Sequence, residues 1–129
     1  MSDALTPEEL AFLQDTFDLA RDGDLVELVT RLDAGVPVNL TNGAGDTLLI
    51  LAAYHVHADV VRALLARGAD HARVNDKGQT ALAAAVFRRD PDIVTDLLDA
   101  GGDPDLGPRS AVAIATFFDL PQMLHLMGR

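Results

Sequence analysis

The chain has 129 residues, of which 49% are apolar, and it contains one Tyr, five Phe, no Trp and no Cys. The lack of Cys excludes disulfides and thiolate metal sites. A formal net charge of −10 disfavours nucleic acid and anionic membranes, because both require clustered Lys and Arg.

The negative charge is unevenly placed along the chain. Residues 1–66 hold 11 Asp or Glu against 3 Arg, whereas residues 67–129 hold 9 Asp against 7 Arg or Lys. Such a balance would favour a partner protein with a basic patch, although an acidic surface can also serve only to keep a protein soluble.

The start of the chain contains neither a basic segment nor an apolar run, so we expect no signal peptide. No stretch approaches the roughly 20 apolar residues that a membrane-spanning helix needs. We therefore expect a cytoplasmic protein, with residues 1–129 forming a single domain.

The first predicted helix begins after Thr6, with Pro7 at its first position and Glu9 completing a capping box. It should run to about Arg21, with four apolar residues on one face: Leu10, Leu13, Phe17 and Ala20. A second helix is predicted from Leu25 to about Ala34, with Asp24 as its cap and Gly35 ending it.

The next stretch, residues 45–68, recurs 33 residues later. Residues 78–82 (GQTAL) align with residues 45–49 (GDTLL), and the same shift carries Gly35 to Gly68 and then to Gly101. A fixed period of this length, with turn, helix, turn and helix inside it, indicates a stacked repeat.

The repeated pattern resembles the ankyrin repeat: G-x-T-x-L-x-x-A-A is followed by D-V-V-x-x-L-L-x-x-G-A-D. The resemblance implies an all-α solenoid of stacked helix-turn-helix units joined by short hairpin-like fingers. Its repeats would cover approximately residues 5–35, 36–68, 69–101 and 102–129, with the first and last acting as caps. The family's T-P-L-H is TLLI at residues 47–50 and TALA at residues 80–83. With Pro and His gone, we expect apolar packing to replace the His network between repeats.

The last repeat departs from the others. Ser110 matches Thr80 at a shift of 30, so the finger at residues 103–109 is three residues short, and the final helix starts at Pro121. Three positions that should face solvent are apolar there: Phe118, Leu120 and Leu126. Either the last helix tilts to cover its own end, or this end is a patch for self-association. The first alternative corresponds to a monomer and the second to a weak homodimer.

No catalytic or cofactor motif is found. A G-x-G at residues 43–45 lacks the third Gly and the Lys of a phosphate loop. His55 and His57 are interpreted as two solvated turn residues rather than metal ligands. We expect no enzyme activity, no metal and no cofactor.

One repeat position carries aromatic residues. By resemblance it lies at the exposed end of the inner helices, on the concave side where ankyrin domains usually hold partners. Its residues and their neighbours are Arg21, Tyr54, His55, Phe87, Arg88, Phe117 and Phe118. Aromatic and Arg side chains are typical of binding hot spots, but the rings could also pack internally as a ladder between repeats.

Six finger positions complete the predicted site, because the ankyrin family leaves them variable and exposed. They are Thr41, Ala44, Asp46, Asp76, Lys77 and Gln79. The sequence thus predicts a non-catalytic protein–protein interaction module, with the alternative of an assembly protein that homodimerises through its apolar C-terminal repeat.

Overall fold

A computed structural model of the chain describes residues 4–129, and this part contains eight α-helices. They are α1 (Pro7–Asp22), α2 (Leu25–Asp33), α3 (Leu48–Tyr54), α4 (Ala58–Ala66), α5 (Ala81–Phe87), α6 (Pro91–Asp99), α7 (Ala111–Phe117) and α8 (Pro121–Leu126). The odd-numbered helices pack side by side as an inner layer, and the even-numbered helices form an outer layer behind them. The predicted all-α stack of helix-turn-helix units is confirmed.

Strand pairing in the described part amounts to an isolated antiparallel bridge between Thr41 and Thr47. A search of residues 4–129 finds no helix with the length and hydropathy to cross a bilayer.

A hydroxyl side chain starts each inner helix. Thr6 forms a capping box with Glu9 at the start of α1. Thr47, Thr80 and Ser110 each accept a hydrogen bond from the backbone N–H three residues ahead, at 3.0, 3.1 and 3.1 Å. These bonds satisfy backbone donors that the helix itself leaves unpaired, so the predicted caps are confirmed and the start of every inner helix is set.

Small side chains lie between the inner helices. Ala52 and Ala53 on α3, Ala84 and Ala85 on α5, and Ala115 on α7 are at most 1% exposed. Because an Ala side chain extends only one carbon from the backbone, neighbouring inner helices can approach closely over their whole length. The larger Leu, Ile and Val side chains fill the space between the two layers.

Polar links also join successive repeats, and they lie in the fingers, which are residues 36–46, 69–79 and 103–109. The Asn75 side-chain amide donates to Asp46 Oδ1 at 2.7 Å, and the Asp76 N–H donates to the Ala44 carbonyl at 3.0 Å. The Arg109 N–H donates to the Gly78 carbonyl at 3.0 Å. The apolar packing expected in place of the family's His network is thus accompanied by polar links between the fingers.

The first helix is longer than the later inner helices, as predicted, with 16 residues against 7 in α3. Of its predicted apolar residues, Leu10, Leu13 and Phe17 line one groove. Burial decreases toward the N-terminus, since Ala20 and Phe17 are buried whereas Leu10 is 48% exposed. Arg31 of α2 secures this helix, since its guanidinium donates to Asp15 and to the Phe12 carbonyl and lies 4.3 Å from the centroid of the Phe12 ring.

We predict that Leu82→Asp unfolds the stack. Leu82 is 2% exposed in the middle inner helix, and an unpaired charge buried there costs several kcal/mol, about the whole stability of a small domain. Circular dichroism and the melting temperature measure the effect. Val26→Asp is the matched control, because Val26 is 78% exposed; a Leu82→Asp protein that melts like wild type would contradict the described packing.

Candidate functional site

Three inner helices end in an aromatic residue at the same repeat position: Tyr54 ends α3, Phe87 ends α5 and Phe117 ends α7. Each of these helices has seven residues and starts at a hydroxyl cap. Equal length and equal starts therefore place the three residues in register. Together with Phe118 we call them the aromatic row.

The rings of the aromatic row contact each other from one repeat to the next. Tyr54 and Phe87 are stacked, with centroids 6.0 Å apart and planes at 9°. Phe87 meets Phe118 edge-on at 5.7 Å, and Phe118 meets Phe117 edge-on at 4.9 Å. The row thus passes through Phe118 in the last repeat, whereas sequence register alone predicts Phe117 as the next ring.

The residue that follows α5 and the residue that follows α7 each reach the ring of the preceding repeat. Arg88, after α5, places its guanidinium 5.3 Å from the Tyr54 centroid and donates to the Tyr54 carbonyl at 2.7 Å. Phe118, after α7, covers Phe87 in the same way. His55, after α3, instead contacts its own neighbour Tyr54 edge-on at 5.1 Å.

Each ring keeps part of its surface in solvent. Tyr54 and Phe87 are both 39% exposed, Phe118 is 44% exposed and Phe117 is 81% exposed. The aromatic row therefore combines the internal ladder and the exposed surface that the sequence offered as alternatives. Its rings contact each other between repeats and also present an apolar surface. The use of that surface for binding stays a prediction.

A cavity of about 370 Å³ adjoins the C-terminal end of the aromatic row. It lies between the fingers and the last two inner helices. Its walls are Gln79, Phe87, Pro108, Arg109, Ala113, Ile114, Phe117 and Phe118. Six of these eight residues are apolar, so the cavity suits an apolar side chain with a polar group at its edge.

The third finger closes one side of this cavity because of a close contact with the second finger. Gly78 has a left-handed backbone, with φ of 77°, and a Cβ there would lie 2.5 Å from Pro108 Cγ. A side chain at position 78 would therefore both strain the turn and push Pro108 away.

The six predicted finger residues differ in exposure. Thr41, Ala44, Asp76 and Lys77 are exposed, whereas Asp46 and Gln79 are half-buried. Asp46 is engaged by Asn75 across the fingers. Its carboxylate therefore has a structural partner within the fold before any ligand is considered.

At the N-terminal end of the row, Arg21 differs from its aromatic counterparts. Its guanidinium pairs with Asp18 at 2.7 Å. Its carbonyl lies 2.7 Å from His57 Nε2, which joins α1 to the next repeat. His55 and His57 are both half-buried, so the interpretation of the two turn histidines as solvated is wrong.

The three C-terminal residues predicted for self-association do not form one exposed patch. Phe118 is exposed and belongs to the aromatic row, whereas Leu120 and Leu126 are half-buried against the core. Their burial favours the alternative in which the last helix covers its own end. Self-association itself stays a prediction.

His55 is the histidine of the site, and its surroundings shift its pKa. Burial lowers the pKa of the His55 imidazole, and the nearby His57, Arg21 and Arg88 lower it further. At neutral pH the aromatic row therefore carries an uncharged imidazole beside Tyr54. Within residues 4–129, no three His, Asp or Glu side chains come close enough together to hold a metal ion.

Asn75 is a residue whose importance the sequence analysis missed. It is buried, its side-chain oxygen accepts from the Lys77 and Gln79 N–H groups at 3.0 Å, and its amide reaches Asp46. Asn42, 33 residues earlier, makes the same bonds to Ala44 and Asp46. The recurrence of Asn at the repeat period was the signal that could have found it.

Comparison with known families agrees with this architecture. A family model described as ankyrin repeats (3 copies) matches residues 17–107, which is more than half of the chain. This protein belongs to the ankyrin-repeat family, a family whose repeats generally mediate protein–protein interaction.

Relatives come from bacteria, from a plant and from the mouse. An ankyrin repeat protein of Pseudomonas aeruginosa is 50% identical over 58 residues, which are 45% of this chain and 34% of that protein. An ankyrin repeat-containing protein of Treponema pallidum is 34% identical over 112 residues, 84% of this chain and 37% of that protein. The E3 ubiquitin-protein ligase KEG of Arabidopsis thaliana is 34% identical over 77 residues, 60% of this chain and 5% of that protein. The chain thus spans about a third of the length of these bacterial relatives and a small part of the plant one.

We predict that Phe87→Ala lowers the free energy of unfolding by about 1–3 kcal/mol, since it removes two ring contacts worth about 0.5–1.5 kcal/mol each. A fully buried Phe would cost roughly 3–5 kcal/mol. Urea denaturation measures the difference. Leu82→Ala on the same helix is the buried reference, with an expected loss of about 2–5 kcal/mol; equal losses for the two variants would show that Phe87 acts as a core residue.

We predict that His55 titrates below the ordinary value of about 6.5 for His. Because the folded protein then binds this proton less readily than the unfolded chain, His55 makes folding less stable as the pH falls through about 6.5. Two-dimensional NMR of the imidazole follows the titration in the native protein and, as a control, in concentrated urea. A native midpoint at or above the urea value would contradict the burial of the ring.

Proposed function

We propose that this chain is a non-catalytic domain that binds a partner protein on the concave face of its repeat stack. The aromatic row supports this proposal most directly, because it is a continuous line of partly exposed rings. The proposed face combines the inner-helix ends with the fingers. Its residues are Arg21, Tyr54, His55, Phe87, Arg88, Phe117 and Phe118, with Thr41, Ala44, Asp46, Asp76, Lys77 and Gln79 on the fingers.

The composition of the row suits this role. Rings of Tyr and Phe offer a large contact area and have few rotatable bonds, so little conformational entropy is lost when a partner binds. Contact with neighbouring rings restricts them further in the free protein, which lowers the entropic cost of binding. Arg88 adds a guanidinium that a hydrogen bond already holds in place.

Two expectations from the sequence remain part of the proposal. The net charge of −10 would draw a partner with a basic patch from a distance. The proposed setting is the cytoplasm. Self-association is the competing function, and it would use the same exposed rings Phe117 and Phe118.

Selection of a displayed library of random twelve-residue peptides against the immobilised chain would test the proposal. We expect Phe117→Ala to weaken enriched peptides about 30-fold, since a hot-spot ring contributes roughly 2 kcal/mol or more. Folding should be little affected, because Phe117 is 81% exposed. Replacing both Lys77 and Gln79 with Ala should also reduce affinity; Lys77 is exposed, and exposed substitutions usually change stability by less than about 0.5 kcal/mol, whereas the half-buried Gln79 is checked by the melting temperature of the variant.

Val26→Ala is the matched control, because it removes an apolar side chain that is 78% exposed on the outer helix α2. Failure to enrich any peptide, or equal affinities for wild type and Phe117→Ala, would reject the proposed face. A mass that rises with concentration in light scattering, and that Phe117→Ala returns to the monomer value, would support self-association in its place.

A further inference from the structure

The cationic residues of this acidic chain fall into two groups. Six of the ten Lys and Arg residues pair with carboxylates, namely Arg21, Arg31, Arg62, Arg67, Arg73 and Arg129. Four have no carboxylate partner among residues 4–129: Lys77, Arg88, Arg89 and Arg109. All four belong to the C-terminal half of the chain, where the net charge is nearly balanced.

Two of these unpaired cations, Lys77 and Arg109, belong to the fingers beside the cavity at the end of the aromatic row. Arg109 is part of its wall. Lys77 precedes Gly78, whose carbonyl accepts the Arg109 N–H at 3.0 Å, so both cations lie on the finger side. The guanidinium of Arg88 lies instead on the Tyr54 ring and donates to the Tyr54 carbonyl, and Arg88 is not part of the cavity wall.

Among residues 4–129, no carboxylate is part of the cavity wall. Asp76 neighbours Lys77 in sequence, but its Oδ1 would lie 2.8 Å from a Cβ on Gly45, so it points to the first finger. Asp105 of the third finger is paired with Arg129. Asp119 follows Phe118 in the turn but does not line the cavity. The cations around this cavity therefore lack the neutralising partners that most other arginines of the chain have.

We propose that this cavity takes a bulky apolar side chain from an acidic peptide segment of the partner, with the neighbouring carboxylates of that segment on Lys77 and Arg109. The inference rests on the proposed function and adds the chemistry of the ligand. The acidic segment proposed here and the basic patch proposed above interact with this chain at different distances. Net charge acts on distant molecules, whereas contact at the cavity depends on the charges within one Debye length, about 8–10 Å in physiological salt.

The shape and the charge of the cavity support the same ligand. The walls are mainly apolar, and about 370 Å³ is enough to enclose a large aliphatic or aromatic side chain. A guanidinium and an ammonium beside an apolar pocket favour an acidic segment. A carboxylate next to the apolar side chain in the cavity can reach these cations, whereas a Lys or Arg at the same place would be repelled.

The test uses the peptides enriched from the twelve-residue library, made synthetically with a fluorescent label and measured by anisotropy. We expect their sequences to hold a Phe, Leu or Ile flanked by Asp or Glu. Exchange of those acids for amides should weaken binding, and so should a rise in NaCl from about 50 to 300 mM. Arg109→Gln and Lys77→Gln should each weaken binding about two- to fivefold, the range measured for partly exposed ion pairs.

The charge-matched control is Arg62→Gln, which removes an equally charged and exposed side chain from the outer helix α4. It should leave affinity unchanged. Peptides that depend on Phe117 but lack an acidic excess would overturn this inference and leave the proposed function intact. Acidic peptides that bind Arg109→Gln and Lys77→Gln as tightly as wild type would overturn it too.

A second copy of this chain is the other occupant that the test detects. Its N-terminal region presents exposed Leu5, just before α1, and Phe12 of α1 beside Glu8 and Glu9. Head-to-tail docking of that helix would appear as mass growth in light scattering that Arg109→Gln abolishes. This result would overturn the inference of a peptide from a different protein, and an absence of enriched peptides would count against the proposed function as well.

Discussion

Close packing between the inner helices is the constraint on which the rest of this structure depends. Ala52, Ala53, Ala84, Ala85 and Ala115 are almost fully buried between α3, α5 and α7, and a longer side chain at any of them would push neighbouring repeats apart. The finger bonds need that short separation, because a hydrogen bond from Asn75 to Asp46 tolerates only a few tenths of an ångström of change. Packing and polar links therefore stabilise the same geometry.

The same separation brings the ends of the helices together. Tyr54 and Phe87 can stack because their helices start at equivalent caps, have equal length and lie side by side. Helices that diverged would leave the rings isolated. The apolar surface of the site is thus a consequence of repetition in the core, and the polar groups around it, Arg88 and Arg109, come from the turns and fingers that vary between repeats.

The sequence was informative about everything that repeats. The period of 33 residues, the hydroxyl caps at Thr47 and Thr80, and the aromatic position at Tyr54 and Phe87 all follow from comparing one repeat with the next, and the helices lie where that comparison predicts them. Sequence reasoning was weaker where a side chain reaches another repeat. The contact of Phe118 with Phe87 depends on a side-chain direction, and the half-burial of His57 depends on a carbonyl 36 residues away. The cavity depends on how Pro108 of a shortened finger lies against Gly78. None of these contacts has a local sequence pattern.

The position of Tyr54 makes this protein its own optical reporter. The chain has one Tyr and no Trp. All of its fluorescence at wavelengths longer than the emission of Phe therefore arises from a single ring in the aromatic row. That ring lies against Phe87 on one side and beneath the Arg88 guanidinium. Any molecule that displaces water or Arg88 from it changes the surroundings of the sole emitter, so occupation of this face can be followed in the unlabelled wild-type protein.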